Sequence, residues 1–156
     1  MIEIERKFLV KSNEFRSSAA SQTLIQQGYL SKDPHRTVRV RIKNNQAFLT
    51  IKGISSASGM SRFEWEKEIP LVEGEELLQL CLPTLIQKTR FYIPHGPLIF
   101  EVDVFEGEHK GLILAEVELP SEKTLIDFPS WIGKEVTGDQ KYYNSYLSSK
   151  ESKNSL

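Results

Sequence analysis

The sequence predicts a mainly β fold of the α+β type: eight antiparallel strands, enough to close a barrel, with a charged lumen and helices packed outside. Three observations predict it. Apolar and polar residues alternate with period two in segment after segment. Short turn signals such as Lys43-Asn44-Asn45, Lys52-Gly53 and Pro94-His95-Gly96-Pro97 separate those segments. Across seven of the strands the polar positions are almost all fully charged and of both signs, where a solvated face would mix in Ser, Thr, Gln and Asn.

The strands fall near residues 2–9, 22–30, 36–43, 46–53, 61–69, 85–93, 98–105 and 111–119. Successive side chains of a strand point to opposite faces, so the first strand carries Glu3, Glu5 and Lys7 on one side, with Ile2, Ile4 and Phe8 on the other. The same split sets Arg39 and Arg41 against Val38, Val40 and Ile42, and Thr50 and Lys52 against Leu49 and Ile51. It recurs in Arg62, Glu64 and Glu66, in Lys88 and Arg90, in Glu101 and Asp103, and in Glu116 and Glu118. Phe48 is the exception, an aromatic ring on a charged side. A short helix opens at Ser12–Arg16, and Glu73 to Leu82 has leucines at helical spacing; further helices are expected within 122–131 and 140–147. Nothing marks a linker or a repeat, so residues 1–147 are read as one domain and 148–156 as a frayed Ser/Lys tail.

A chain of 156 residues with formal charge −1 has no field to draw it to nucleic acid or an anionic membrane. Cys81 is the only cysteine, which fits a buried, inert thiol in a reducing compartment. Met1 leads straight into the alternating run Ile2-Glu3-Ile4-Glu5 and no stretch is long enough to span a bilayer; the expected location is the cytoplasm. The three histidines stand apart, without zinc-site spacing, and no Gly-rich phosphate loop, nucleophile elbow or cysteine pair occurs. Any chemistry is therefore carried by charged side chains.

One alternating strand is explained by a half-buried sheet with a wet face. Seven such strands with fully charged polar positions are harder to explain that way. If the sheet closes with its apolar face outward, the charged face becomes a lumen, and buried charges need partners or ligands to offset desolvation. Arg and Lys supply charge-assisted hydrogen bonds to phosphate, and carboxylates supply the hard oxygens preferred by Mg²⁺ or Mn²⁺. Together they fit a metal-complexed polyphosphate.

These residues resemble the CYTH, or triphosphate tunnel metalloenzyme, superfamily. Glu3-Ile4-Glu5-Arg6-Lys7 matches its N-terminal E-x-E-x-K signature. Gln27-Gly28-Tyr29-Leu30, Arg39-Val40-Arg41, Thr50-Ile51-Lys52, Glu64-Trp65-Glu66, Lys88-Thr89-Arg90, Glu101-Val102-Asp103 and Glu116-Val117-Glu118 follow in the family's order. Val136-Thr137-Gly138-Asp139, with Tyr142 and Asn144, resembles its C-terminal segment. The resemblance implies a closed eight-stranded antiparallel triphosphate tunnel. By motif position it implies phosphate binding by Lys7, Arg39, Arg41, Lys52, Lys88 and Arg90, with Arg62 added on its alternation with Glu64. It implies metal ligation by Glu3, Glu5, Asp103, Glu116 and Glu118, and catalytic roles for Glu5, Lys7, Lys88 and Glu118. Glu64, Glu66 and Glu101 pair with the bases or hold a second metal. Gln27 and Tyr29 are read as packing or hydrogen-bonding residues, and Lys134 and Lys141 as exposed charges near the C-terminal segment, from where a long side chain at the tunnel mouth could reach substrate.

The implied activity is Mg²⁺- or Mn²⁺-dependent hydrolysis of a triphosphate, with inorganic tripolyphosphate giving diphosphate and phosphate, since the chain resembles small bacterial single-domain tripolyphosphatases more than the cyclases. Thiamine triphosphatase, nucleoside triphosphatase and class IV adenylate cyclase use the same grip and stay open, as does a triphosphate-binding module without turnover. The implied partner is a small-molecule triphosphate, with neither nucleic acid nor membrane; monomer and homodimer are both open.

Overall fold

The computed structural model describes residues 1–148. The strands are β1 (Ile2–Val10), β2 (Ser21–Ser31), β3 (Thr37–Lys43), β4 (Gln46–Ser55), β5 (Ser61–Ile69), β6 (Leu82–His95), β7 (Leu98–Phe105), β8 (Ile113–Glu118) and β9 (Ile132–Glu135). The helices are α1 (Phe15–Ser18), α2 (Leu71–Leu80) and α3 (Asn144–Leu147). Strands β5-β4-β3-β2-β6-β7-β8-β1 run side by side, and β5 pairs back onto β1, closing an eight-stranded antiparallel barrel.

The closing seam is short. Ile2, Glu3 and Ile4 face Phe63, Arg62 and Ser61, and the Glu64 N–H donates to the Met1 carbonyl at 2.9 Å. Further along β1 the same edge is taken by β9, a ninth strand that the alternation does not announce, pairing Val10 with Ile132 and Phe8 with Glu135. The hairpin from β3 to β4 turns at Asn44 and Asn45 with φ of 51° and 59°. Asn tolerates this left-handed pair, whose twist matches the flanking strands.

Outward-facing Phe8, Phe91, Phe100, Val102, Ala115 and Val117 of β1, β6, β7 and β8 form one apolar layer. Phe15 of α1 and Trp131 cover it, with edge-to-face ring contacts at 5.9 Å between them and 5.6 Å between Trp131 and Phe100. The segment over 122–131, expected to hold a helix, is irregular instead. Pro129 disfavours a helical residue before it, and Phe128 is used as a single edge-on contact to Phe8 at 5.4 Å rather than as part of a helical stripe. The helix expected over 140–147 is split: a 3₁₀ turn at Gln140–Tyr142 precedes α3, with Tyr143 extended between them.

On the opposite wall α2 lies across β3 and β4, and its approach depends on Gly74, where a Cβ would stand 2.2 Å from the Ala47 Cβ. The covering is partial: Leu24, Phe63 and Ile2 keep 58%, 43% and 64% of their surface exposed. Cys81 ends α2 half-buried rather than buried. Ser148, the first residue assigned to a frayed tail, is buried and its carbonyl accepts the Thr84 N–H at 2.6 Å; the rest of that tail, 149–156, lies outside the described residues. At one end the lumen-facing positions turn apolar, and Ile86, Phe105 and Leu114 pack with Val136 and Leu147 into a plug.

Candidate active site

Cross-strand register brings residues distant in sequence onto common rungs of the lumen. Glu5 faces Glu118 and Lys7 faces Glu116 across β1 and β8, and Glu116 faces Glu101 of β7. Arg90 faces Asp103, Arg39 faces Thr50, Lys52 faces Glu64, and Glu3 faces Arg62. The enclosed cavity is lined by Glu3, Glu5, Lys7, Arg39, Arg41, Lys52, Arg62, Lys88, Arg90 and Glu116. Of the expected site residues only Asp103 and Glu118 are missing from that wall. Asp103 sits behind Arg90, and Glu118 is exposed at the end of β8.

The cations divide into paired and unpaired groups. Arg90 is gripped by Asp103 through Nε at 2.7 Å and Nη2 at 2.9 Å, and reaches Glu101 at 3.3 Å. Lys88, fully buried, lies 2.7 Å from the same Asp103. Burial, with Arg90 and Arg41 nearby, pulls the Lys88 ammonium down to about 7 against the opposing pull of Asp103. Asp103 would be raised by burial, yet Arg90 and Lys88 hold it down at about 2. Both its oxygens are thus taken by cations. Lys52 bridges Glu3 at 3.0 Å and Glu64 at 3.2 Å, and Arg39 meets Glu66 at 3.3 Å.

Arg41 and Arg62 form no ion pair with any carboxylate among the described residues. The Arg41 Nε donates to Gln27 Oε1 at 3.0 Å, and burial beside Arg39 and Arg90 lowers its guanidinium to about 10. Arg62 donates to the Gly53 carbonyl at 3.1 Å and lies 5.9 Å from the Tyr143 ring centroid. The Arg39 Nε is buried with no hydrogen-bond partner. An orphaned donor beside unoffset guanidinium charge is the arrangement an anion relieves.

The carboxylates show the mirror image. Burial, then Glu116 and Glu3, push the Glu5 carboxyl well above its usual range, and no cation lies within ion-pairing distance of it among the described residues. Glu118, though exposed, is raised by partial desolvation at the mouth of the lumen and by Glu3 and Glu101. Burial opposes the charge of Glu116, but Lys7, 3.5 Å away, and Arg90 hold it well below the ordinary value. An all-oxygen set with surplus negative charge fits a hard divalent cation. Among the described residues no three His, Cys, Asp or Glu side chains converge as a finished cage.

The residues left open from sequence now have places. Glu64, Glu66 and Glu101 are counter-ions to Lys52, Arg39 and Arg90. Phe48 lies beneath the Lys43 ammonium at 5.4 Å. Lys134 and Lys141 are exposed. The extent of the C-terminal contribution was missed. Lys7 donates to the Tyr142 carbonyl at 3.0 Å and lies 5.4 Å from the Tyr143 ring centroid, and Lys88 donates to Asn144 Oδ1 at 2.7 Å. Neutral residues after a loop give no periodic signal, so only the Tyr142 and Asn144 motif positions pointed there.

Known proteins are similar to this chain over most of its length. The family model described as the CYTH domain matches residues 1–152. The chain is 45% identical over 146 residues to an inorganic triphosphatase of Acetivibrio thermocellus, covering 93% of this chain and 92% of that one. It is 38% identical over 152 residues to an inorganic triphosphatase of Nitrosomonas europaea, covering 94% and 97%. A crystal structure of an inorganic triphosphatase superposes with a TM-score of 0.66 at 34% identity, over 94% of this chain and 97% of that one. The charged lumen, the strand order and these relatives agree: the chain belongs to the CYTH domain family.

Proposed function

We propose that this chain hydrolyses inorganic tripolyphosphate to diphosphate and phosphate, with Mg²⁺ or Mn²⁺. The observation that carries the reading is the surplus of cation at Arg41, without an ion pair, and Arg39, its Nε orphaned, across the lumen from the carboxylate surplus at Glu5, with the unpaired Arg62 on the strand beside β1. The two relatives named inorganic triphosphatase support the choice of substrate.

Arg39, Arg41, Arg62 and Lys88 hold the chain of phosphates, each contact on the order of 1.5–3 kcal/mol. Lys7, between Glu116 and the C-terminal wall, and Lys52, between Glu3 and Glu64, grip phosphate oxygens next to the carboxylates. Arg90 is braced by Asp103 and Glu101 and adds a fixed positive charge. Glu3, Glu5, Glu116 and Glu118 would hold the divalent cation, which when bound supplies charge neutralisation on phosphate and acidifies a water. Asp103 serves as counter-ion rather than ligand. The protein contributes positioning and fixed charge, which carry most of the acceleration in phosphoryl transfer, and no Ser or Cys nucleophile is needed. The reading places the reaction in the cytoplasm, in keeping with a lone, half-buried Cys81 and the absence of any membrane-length apolar helix among the described residues.

The test is phosphate release from tripolyphosphate, thiamine triphosphate and ATP under Mg²⁺ or Mn²⁺, with cyclic nucleotide measured on the ATP samples. Tripolyphosphate is expected to turn over fastest, with no cyclic product. Binding without release would make the chain a triphosphate-binding module, and cyclic AMP as the main product would make it a cyclase.

A further inference from the structure

Two lumen cations are joined by a pair of neutral side chains. Gln27, fully buried, accepts the Arg41 Nε–H through Oε1 at 3.0 Å. Its Nε2 donates to the Tyr29 hydroxyl at 3.1 Å and to Asn144 Oδ1 at 3.4 Å. That same Asn144 oxygen accepts from the Lys88 ammonium at 2.7 Å.

The polarity of this chain is forced from its ends. Lys and Arg only donate, so Asn144 must turn its oxygen to Lys88, and Gln27 its oxygen to Arg41. The Gln27 amide nitrogen then points at Asn144 Oδ1, the one arrangement that serves every member. Asn144 opens α3, and the end of that helix is pinned where the Ser148 carbonyl accepts from Thr84 N–H and from Lys32 Nζ. One half of the relay thus comes from the barrel wall and the other from the segment that closes its end.

We propose that Gln27 and Asn144 are positioning residues that hold Arg41 and Lys88 in fixed directions without adding a negative charge to either, so that Arg41 keeps its whole charge, and Lys88 what Asp103 does not offset, for the triphosphate. The inference rests on the tripolyphosphate reading above. A carboxylate at either position would hold the cation equally well but add a counter-charge, for Lys88 a second one beside Asp103; an amide adds none. The relay also makes the C-terminal segment part of the phosphate grip, because Lys88 keeps its second anchor only while α3 is seated.

The test measures tripolyphosphate binding by calorimetry without metal, and KM and kcat with metal, for the parent, Asn144→Asp, Asn144→Ala and Gln27→Glu. Asn144→Asp and Gln27→Glu keep shape and add a negative charge beside one cation. Each is expected to weaken metal-free binding about ten-fold or more, with the melting temperature held or raised, since a charge-assisted contact is lost to an internal partner. Asn144→Ala should raise KM three- to ten-fold by the same scale, leaving kcat and the metal concentration for half-maximal rate near the parent's. A purely structural role would instead lower the melting temperature and leave KM unmoved. Gln27→Glu, in β2, reads the same relay from its other end if α3 tolerates no change at Asn144. Parent-like binding by both acidic variants overturns the relay while leaving the tripolyphosphate reading intact; a parent that binds no tripolyphosphate overturns both.

Discussion

Asp103→Asn separates counter-ion from metal ligand at the most heavily paired carboxylate of the lumen. The side chain is 2% exposed and meets Arg90 at 2.7 and 2.9 Å and Lys88 at 2.7 Å. Replacing it with an amide keeps the shape but leaves two buried cations facing a neutral group. Removing one partner of a buried pair costs about 3–5 kcal/mol. At about 2–4 °C per kcal/mol for a chain of this size, the melting temperature should fall by roughly 6–20 °C. Lys88, already depressed by burial, should discharge at lower pH still, which trims the loss toward the small end above neutrality. The comparison is Glu118→Gln. Partial desolvation, Glu3 and Glu101 already hold that carboxyl above its usual value, so removing its charge relieves repulsion and should leave the melting temperature unchanged or higher. Its cost should appear as a raised metal concentration for half-maximal rate. Differential scanning calorimetry of both variants, beside a Mn²⁺ titration of rate at a temperature where both are folded, reads the two effects separately. An Asp103→Asn protein that melts with the parent but needs much more metal would refute the counter-ion assignment.

Three further outcomes follow from the same geometry. A lysine depressed to about 7 loses its charge as pH rises through that value, so metal-free tripolyphosphate affinity should fall from about pH 6 to about pH 9. Binding near pH 8 should take up a proton, visible as calorimetric heat that varies with buffer ionisation enthalpy, and Lys88→Arg should abolish the uptake. Treatment with a chelator should stop phosphate release and added Mg²⁺ or Mn²⁺ should restore it; undiminished turnover in metal-free protein would contradict the role given to the carboxylates. Gly74→Ala should destabilise by about 1–3 kcal/mol in urea unfolding, because its Cβ would overlap the Ala47 Cβ and lift α2 from the barrel, while KM stays near the parent's.

Much of the fold was legible because a strand reports its two faces directly. Glu3, Glu5 and Lys7 are on one side of β1 whatever pairs with it, and the same holds for Arg39 and Arg41 of β3. The site's membership followed from that parity and from the motif order. Its pairing did not, since pairing depends on register. Asp103 reads like any lumen carboxylate until β6 sets it opposite Arg90 with Lys88 beside it, and Glu5 reads like Glu3 until Lys52 reaches one and not the other. Strand β9 was hidden because four residues, Ile132–Glu135, carry too little alternation to register and exist only where β5 leaves the edge of β1 free. The missing helix over 122–131 has a local cause in Pro129, but the use made of Trp131 and Phe128 as lids over β1 and β7 is tertiary. Gln27 and Asn144 are the furthest from sequence: each is an ordinary amide until its partners, 14 and 56 residues away in the chain, fix which way it points.

The most direct test of the central claim is a crystal structure with tripolyphosphate and Mn²⁺ bound to Lys88→Ala protein, in which turnover should be slowed, collected at a wavelength where Mn²⁺ scatters anomalously. The account predicts a Mn²⁺ peak against Glu5 and its carboxylate neighbours Glu3, Glu116 and Glu118, with phosphate oxygens on Arg39 and Arg41. A peak against Asp103 with the Glu5 cluster empty, or tripolyphosphate bound outside the lumen, would contradict it.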